Sequence, residues 1–300
     1  MSREQALGRR VPICDYEGSR WETEFWPGRE YEHLAERIAL RKLLPARGER
    51  LVEIGAGFGR LADLYGGYRQ VVFLDYAKTM LRQAQSRLGR DARFIYVAAD
   101  LYNLPLADAA CDTAVTVRVL HHLRDIPTAF RQIQRVLTPG GTYILEFANK
   151  RNLKAILRYL FGRQTENPFS PEPYEFVELN IQFSPDYMAR CLQEAGFSLQ
   201  RQLAVSHFRV PLLKRLIKPR LLASLDGLLQ GLGAIPRLSP SLFVKAQVGR
   251  EGGAQRVSQA LFRCPACRSQ ELEEEATTLH CLRCGALWPI DDGIYDFKGE

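Results

Sequence analysis

The stretch EIGAGFGRL, residues 53–61, constrains this chain more than any other. It joins a short apolar run, RLVEIGAG, to a helix-like one, RLADLYGG, and sets Gly55, Gly57 and Gly59 at alternate positions between them. Glycines so placed let the backbone turn sharply out of a strand and bring its N–H groups close to a ligand. A strand that leaves such a turn as a helix belongs to an open α/β sheet, which binds at the carboxyl edge of its strands. Twenty residues after Gly55, Asp75 closes the next strand-like run, QVVFLDYA, where a carboxylate can accept hydrogen bonds from a ribose diol. On these residues alone a nicotinamide cofactor fits about equally well.

The flanking pattern supports the sheet. REYEHLAERIALRKLLP has helical spacing and stops at Pro45; TMLRQAQSRLG is a helix closed by Gly89; RFIYVAAD and CDTAVTVRVL read as strands three and four. HHLRDIPTAFRQIQRVL is a helix, and Pro139-Gly140-Gly141 turns the chain into TYILEFAN, strand five. Such alternation predicts a Rossmann-like, doubly wound and mainly parallel sheet. Past 151 it fades: NPFSPEPYEF is a loop, and FSPDYMARCLQEAGF a Ser-capped helix ended by Gly196. Three hundred residues, 46% hydrophobic and 25% charged, suffice for one large domain and a small appendage. The expected division is an N-terminal segment and helix (1–47), a main domain (48–248) with a cofactor half (48–148) and a helical, basic substrate side (151–248), a linker (249–261) and a cysteine module (262–300).

Two more carboxylates narrow the ligand. Glu53, two residues before the first glycine, would repel a pyrophosphate and welcome an ammonium group, and Asp100, at the end of strand three, suits an adenine amine. Together LVEIGAGFGRL, VFLDYAKTML, AADLYNLPLADAACDTAVTVRVLHHL and AFRQIQRVLTPGGTYILEF resemble the class I S-adenosylmethionine-dependent methyltransferases, in particular the quinone-biosynthesis-like type 11 group, over about residues 48–148. The resemblance implies that Glu53, Gly55, Ala56 and Gly57, with Gly59 in the same loop, meet the methionine end. It puts Asp75 on the ribose, Tyr76, Met80, Asp100 and Leu101 about the adenine, and Arg118 near the sulfonium. Arg118 departs from the small residue common there, and Glu53 stands where many relatives have Asp.

Methyl transfer from a sulfonium is an in-line displacement, so positioning and dryness matter more than a strong base. His121 and His122, at the end of strand four, are the candidates for deprotonating or orienting an acceptor; packing under the loop is their alternative role. Trp26 and Tyr31 either close over the cofactor or anchor the first helix. Strand four ends VRVLHH, without the Asn/Asp-Pro-Pro-aromatic loop of amino-group methyltransferases, and no Pro-Cys nucleophile lies there. Oxygen or carbon methylation of a small or lipid-like acceptor is therefore the leading expectation. An RNA- or protein-modifying enzyme is the second, and a non-catalytic scaffold the third.

The last forty residues hold Cys264-x-x-Cys267 and Cys281-x-x-Cys284, the spacing of a structural four-thiolate zinc site, with a redox pair as the competitor. CPACRSQEL…LHCLRCGALWPIDDGIYDF resembles the zinc-ribbon activator proteins that pair with tRNA, rRNA and protein methyltransferases, which implies a ribbon that docks on a methyltransferase domain and stabilises it. Docking in cis, on a sister subunit or on substrate stays open, as does the oligomeric state. Residues 201–250 carry nine Lys/Arg and one acid among many leucines, a pattern that suits an anionic membrane, RNA phosphates or a solvated helical cap; the net charge of +7 permits each. Cys14, Cys111 and Cys191 lie apart, and no secretory or membrane-spanning run is evident, so a cytoplasmic location is expected.

Overall fold

The fold is that of a computed structural model, which describes residues 11–19, 26–232, 237–249 and 257–299. In chain order it comprises α1 (Glu30–Leu43), β1 (Gly48–Ile54), β2 (Tyr68–Asp75), α2 (Lys78–Leu88), β3 (Phe94–Ala98), β4 (Cys111–Thr116), α3 (Ile126–Val136) and β5 (Leu137–Ala148). Next come α4 (Leu153–Leu160), the hairpin of β6 (Tyr174–Val177) and β7 (Asn180–Gln182), α5 (Pro185–Glu194), β8 (Phe197–Val205), α6 (Pro211–Leu216), α7 (Pro219–Leu229) and β9 (Ser241–Val248). The cysteine module supplies β10 (Leu272–Glu274), β11 (Thr278–Cys281), β12 (Leu287–Asp291) and β13 (Ile294–Asp296).

The main sheet runs β10-β11-β12-β13-β3-β2-β1-β4-β5-β9-β8. From β3 to β5 every pairing is parallel, and β9 lies antiparallel between β5 and β8. The central strands are apolar on both faces because both are covered. Tyr31, Ala35 and Leu40 of α1 and Leu81 of α2 pack on one side; Phe130 and Ile133 of α3 and Met188 and Leu192 of α5 pack on the other. The doubly wound, mostly parallel fold is thus present.

Several local expectations shift. RLADLYGG forms only a 3-10 turn, Ala62–Tyr65, because Gly66-Gly67 ends it after four residues and Gly67 passes so near Ala46 that a Cβ would lie 2.1 Å from its carbonyl oxygen. Pro139-Gly140-Gly141 lies within β5 rather than ahead of it, and its extra length appears as a register shift opposite Cys111 and Thr113. β4 stops at Thr116, so His121 and His122 sit on a separate 3-10 turn, Leu120–His122, and not on the strand end. Strands β8 and β9, on the far side of β5, fall beyond residue 151, where the sequence alternation fades.

The cysteine module is continuous with the sheet. β13 pairs in parallel with β3, Tyr295 opposite Val97, and the Phe297 N–H donates to the Ala98 carbonyl. Phe262 bridges to Leu106, and Phe262, Trp288, Tyr295 and Phe297 pack as tilted rings at 4.7–5.6 Å between centroids against the main core. The module therefore docks in cis. Of the expected linker, residues 250–256 lie outside the described residues; from Ser258, whose N–H donates to the Ala109 carbonyl, the chain is already bound to the main domain.

Candidate active site

A cavity of about 490 Å3 opens at the carboxyl edge of the parallel strands. The glycine loop forms one wall. Gly55, Gly57 and Gly59 all have positive φ (70°, 55° and 72°), a conformation costly to other residues. A Cβ on Gly55 would fall 2.2 Å from Val119 Cγ2 and one on Gly59 2.8 Å from Leu88 Cδ1, whereas a Cβ on Gly57 would meet nothing within 4 Å. Packing fills the space beside the outer two; the middle glycine faces the cavity. Asp75 ties the loop down, accepting from the Gly57 N–H at 2.8 Å and the Ala77 N–H at 3.0 Å. Burial pushes its carboxyl up, opposed by these N–H groups.

Of the residues singled out in the sequence, Gly55, Ala56, Gly57, Asp75, Tyr76 and Met80 line the cavity, as do Asp100, Leu101, Arg118, His121 and His122. Asp100 also accepts from the Tyr102 N–H at 2.8 Å, which fixes the turn that carries Leu101. Glu53 and Gly59 do not line it. Glu53 is buried beneath the loop, and its Oε2 has no hydrogen-bond partner among the described residues. Desolvation raises its pKa to about 8, so the carboxyl holds a proton at neutral pH.

The opposite wall holds an ion network. Arg118 adopts a left-handed φ of 62° that presents its N–H to Glu146 Oε2 at 2.9 Å, while its guanidinium pairs with Glu36 and lies 5.1 Å from the Trp26 ring. Arg60 pairs with Glu36 at 2.8 Å and lies 4.4 Å from the same ring. Burial would raise Glu36, but the two guanidiniums outweigh it and hold the carboxylate low. The Arg118 side chain thus faces a carboxylate partner. Trp26 lines the cavity; Tyr31 instead anchors the core, its hydroxyl donating to Asp226 at 3.0 Å.

His122 is defined by two partners. Nδ1 lies 2.7 Å from the Leu179 carbonyl oxygen, which can only accept, so Nδ1 carries the proton and the Nε2 lone pair accepts from Tyr16 Oη at 2.8 Å. Burial lowers the pKa of both histidines, and His122 and Arg118 push His121 lower still, so both rings are neutral at pH 7. Sequence reasoning missed Tyr16, Arg29, Glu146 and Arg209 among the lining residues. Glu146 alone left a signal: it is the one charge inside the apolar run TYILEFA. Burial raises its carboxyl, opposed by Arg118.

The four cysteines converge 
at the far end of the sheet. Their sulfurs lie within 4.8 Å of one another, with Cys264–Cys284 at 3.7 Å and Cys267–Cys281 at 3.5 Å. A tetrahedron of thiolates about a metal at roughly 2.3 Å has edges of about 3.8 Å, so the donor set fits one ion. Each pair closes the same knuckle: the Arg268 N–H donates to the Cys264 carbonyl and the Gly285 N–H to that of Cys281, both donors at positive φ.

The strand order, the glycine loop and the carboxylates at the ends of β2 and β3 together define a Rossmann-like nucleoside-binding fold. The family described as "Methyltransferase domain" matches residues 52–145. A probable S-adenosylmethionine-dependent methyltransferase of Mycolicibacterium smegmatis is 31% identical over 189 residues, 62% of this chain and 64% of that protein. Several relatives, that one included, are matched over only 52–64% of their own length. A demethylmenaquinone methyltransferase of Corynebacterium kroppenstedtii is 31% identical over 173 residues, 54% of this chain and 73% of that protein. A chain from the complex between the Haloferax volcanii Trm112 methyltransferase activator and a putative methyltransferase shares the fold, with a TM-score of 0.53 at 14% identity over 76% of this chain and 96% of that one. The chain belongs to the S-adenosylmethionine-dependent methyltransferases.

Proposed function

We propose that the protein methylates an oxygen or carbon of a small or lipid-like acceptor, with cofactor and acceptor sharing the one cavity. The observation that carries this is its two-sided lining: the open face of Gly57 with Asp75 and Asp100 on one side, the neutral His121–His122 pair and Glu146 on the other. When bound, S-adenosylmethionine supplies an electrophilic methyl group on a sulfonium. Asp75 takes the ribose hydroxyls, and Tyr76, Met80, Asp100 and Leu101 enclose the adenine. Glu53, whose Oε2 is otherwise orphaned, lies under the methionine side of the loop, where an ammonium group would ionise it. Arg118, already matched by Glu36, orders the far wall. His122 holds or accepts the acceptor's proton at Nε2, in place of the Tyr16 hydroxyl that occupies it here.

The cysteine module is proposed to bind zinc and to serve as a built-in counterpart of the separate activators that ribbon proteins provide. Its lining of β3 and the tetrahedral spacing of its sulfurs support both. The three cysteines outside the module are free thiols, in keeping with a cytoplasmic setting. No helix among the described residues is long and apolar enough to cross a membrane.

The test is calorimetry with S-adenosylmethionine, followed by transfer of its labelled methyl group to phenolic and quinol acceptors and to bulk RNA. Micromolar cofactor binding with label in a phenol or quinol is expected, and Asp75→Ala should weaken binding about tenfold to a hundredfold. No binding would overturn the enzyme reading, and label in RNA alone would overturn the acceptor class.

A further inference from the structure

Helices α4 and α6 leave the sheet at the same edge. β5 ends at Ala148 opposite Ser241 of β9, and Val205, the end of β8, also pairs with Ser241. α4 begins shortly after Ala148 and α6 shortly after Val205. That edge is also where the cavity opens, and Arg209, just ahead of α6, and Pro240, just ahead of β9, line it.

Neither helix has a fully buried residue. In α4 and the residue after it, Leu153, Ile156, Leu157, Leu160 and Phe161 recur at the spacing of an amphipathic stripe, which ordinarily faces a core. Here Leu160 is 67% exposed and Phe161 74%. α6 repeats the pattern, with Leu212 at 63% and Leu216 at 71%. Cations accompany both stripes. Residues 151–163 contain four Lys/Arg and no acid, and residues 209–220 five Lys/Arg and no acid. Lys154, Arg158, Arg215 and Lys218 are exposed. The neighbouring β6–β7 hairpin carries Glu175, which is paired with Arg124, and Glu178.

We propose that α4 and α6 together form a docking face for an anionic lipid surface, which brings the cavity mouth against the membrane. Cations alone would serve RNA phosphates equally well, but RNA gains nothing from exposed aliphatic side chains beside them, whereas a bilayer takes up both: headgroups pair with the cations while Leu and Phe enter the acyl boundary. A second copy of this chain would bring like charges together across the same face. An acceptor drawn from the bilayer would reach the cavity without crossing water. That route rests on the lipid-like acceptor proposed above; the docking itself does not.

Flotation of the full chain with vesicles tests it. Phosphatidylcholine vesicles containing about one-third phosphatidylglycerol should carry the protein up the gradient, and pure phosphatidylcholine much less. Lys154→Ser with Arg158→Ser should lower partitioning roughly fivefold per cation. Leu157→Asp with Leu160→Asp should abolish it, and both pairs should leave S-adenosylmethionine binding and melting temperature unchanged. Failure of the wild type to float on anionic vesicles while it still binds cofactor would overturn the proposal, as would flotation that both variant pairs retain. A dimer in light scattering that Leu157→Asp with Leu160→Asp dissolves would also overturn it, since a second copy would then own the face. Vesicle binding is read without turnover, so failed catalysis and failed docking are distinguishable.

Discussion

At one end of the main domain's strands β3 presents Phe94, Ile95, Tyr96 and Val97 in succession; at the other, antiparallel β8 presents Ser198, Leu199, Gln200 and Arg201. An edge like β8, with polar and cationic side chains in the open, tolerates water and discourages pairing with other chains. An edge like β3 does not. The chain covers it with β13, and the sheet then continues through β12 and β11 to β10, where Glu273 and Glu274 stand exposed at the new boundary. The cysteine module thus moves the edge of the sheet from an apolar strand to an acidic one. Both outer strands of the finished sheet are polar, one by local sequence and the other through a borrowed module.

The contrast is broken most severely at the sulfurs. With the zinc site proposed above, Cys281→Ser should unfold the module and uncover β3, because structural zinc contributes about 10–16 kcal/mol to folding in small ribbons, comparable to the 5–15 kcal/mol stability of a whole domain. Soluble yield should collapse and one equivalent of zinc should be lost, by metal analysis; a soluble, metal-free variant with the wild-type melting temperature would show that β13 holds without metal.

The glycine loop gives the next largest effect. Gly55→Ala meets Val119 as well as a left-handed φ and should cost about 3 kcal/mol or more. Gly57→Ala has only the conformational cost, about 1 kcal/mol, yet should destroy cofactor binding because its methyl enters the cavity. Thermal melts with calorimetry separate the two, and equal losses of stability would undo the distinction between packing and binding glycines.

A smaller effect, of order a few kcal/mol at most, depends on pH. Burial, then Arg60 and Arg37, lower His33 to about 4, so the native state takes that proton less readily than the unfolded chain. Its contribution is present above the ordinary 6.5 and is lost as pH falls towards 4. Glu53 runs oppositely: with its pKa near 8 its contribution is full below 4.5 and is lost as pH rises through 8. Glu53→Gln should therefore flatten the fall in melting temperature between pH 6 and 8 and leave the acid limb unchanged.

The smallest expected change lies where the two regions touch. Lys298 Nζ sits 5.1 Å from the Tyr76 ring, and Lys78 pairs with Asp296 at 2.9 Å. Lys298→Ala should weaken cofactor binding less than about fivefold, since a partly exposed cation–π contact is worth about 0.5–1 kcal/mol.

Much of this was legible in the residues. The alternation from 30 to 148 identified the parallel core because buried strands must be continuously apolar, and Ser184 and Gly196 bounded α5 as capping chemistry requires. β8 and β9 were not, because FSLQRQLAV and SLFVKAQV mix polar and apolar residues as antiparallel strands near an edge do, among leucine-rich helices that draw attention away. The loop glycines and the carboxylates Asp75 and Asp100 announced themselves by spacing. Tyr16, Arg29 and Arg209 did not, because they reach the cavity from distant segments that only the folded sheet brings together. Nor did the cysteine spacing disclose its partner: four sulfurs at that spacing suit an ion, whereas the place where β13 lands is written in β3.

That landing has a consequence in time. Ile294 pairs with Tyr96, 198 positions earlier in the chain. At about 5–20 residues per second, a ribosome needs on the order of 10 to 40 s to make that length. Through that interval, while β4, β5, β8 and β9 are still being added, a nascent chain would carry an open apolar strand, and with the zinc proposed above the interval would lengthen wherever metal is scarce. Chaperone demand during synthesis, rather than stability once made, is then where a shortage of metal would first be felt.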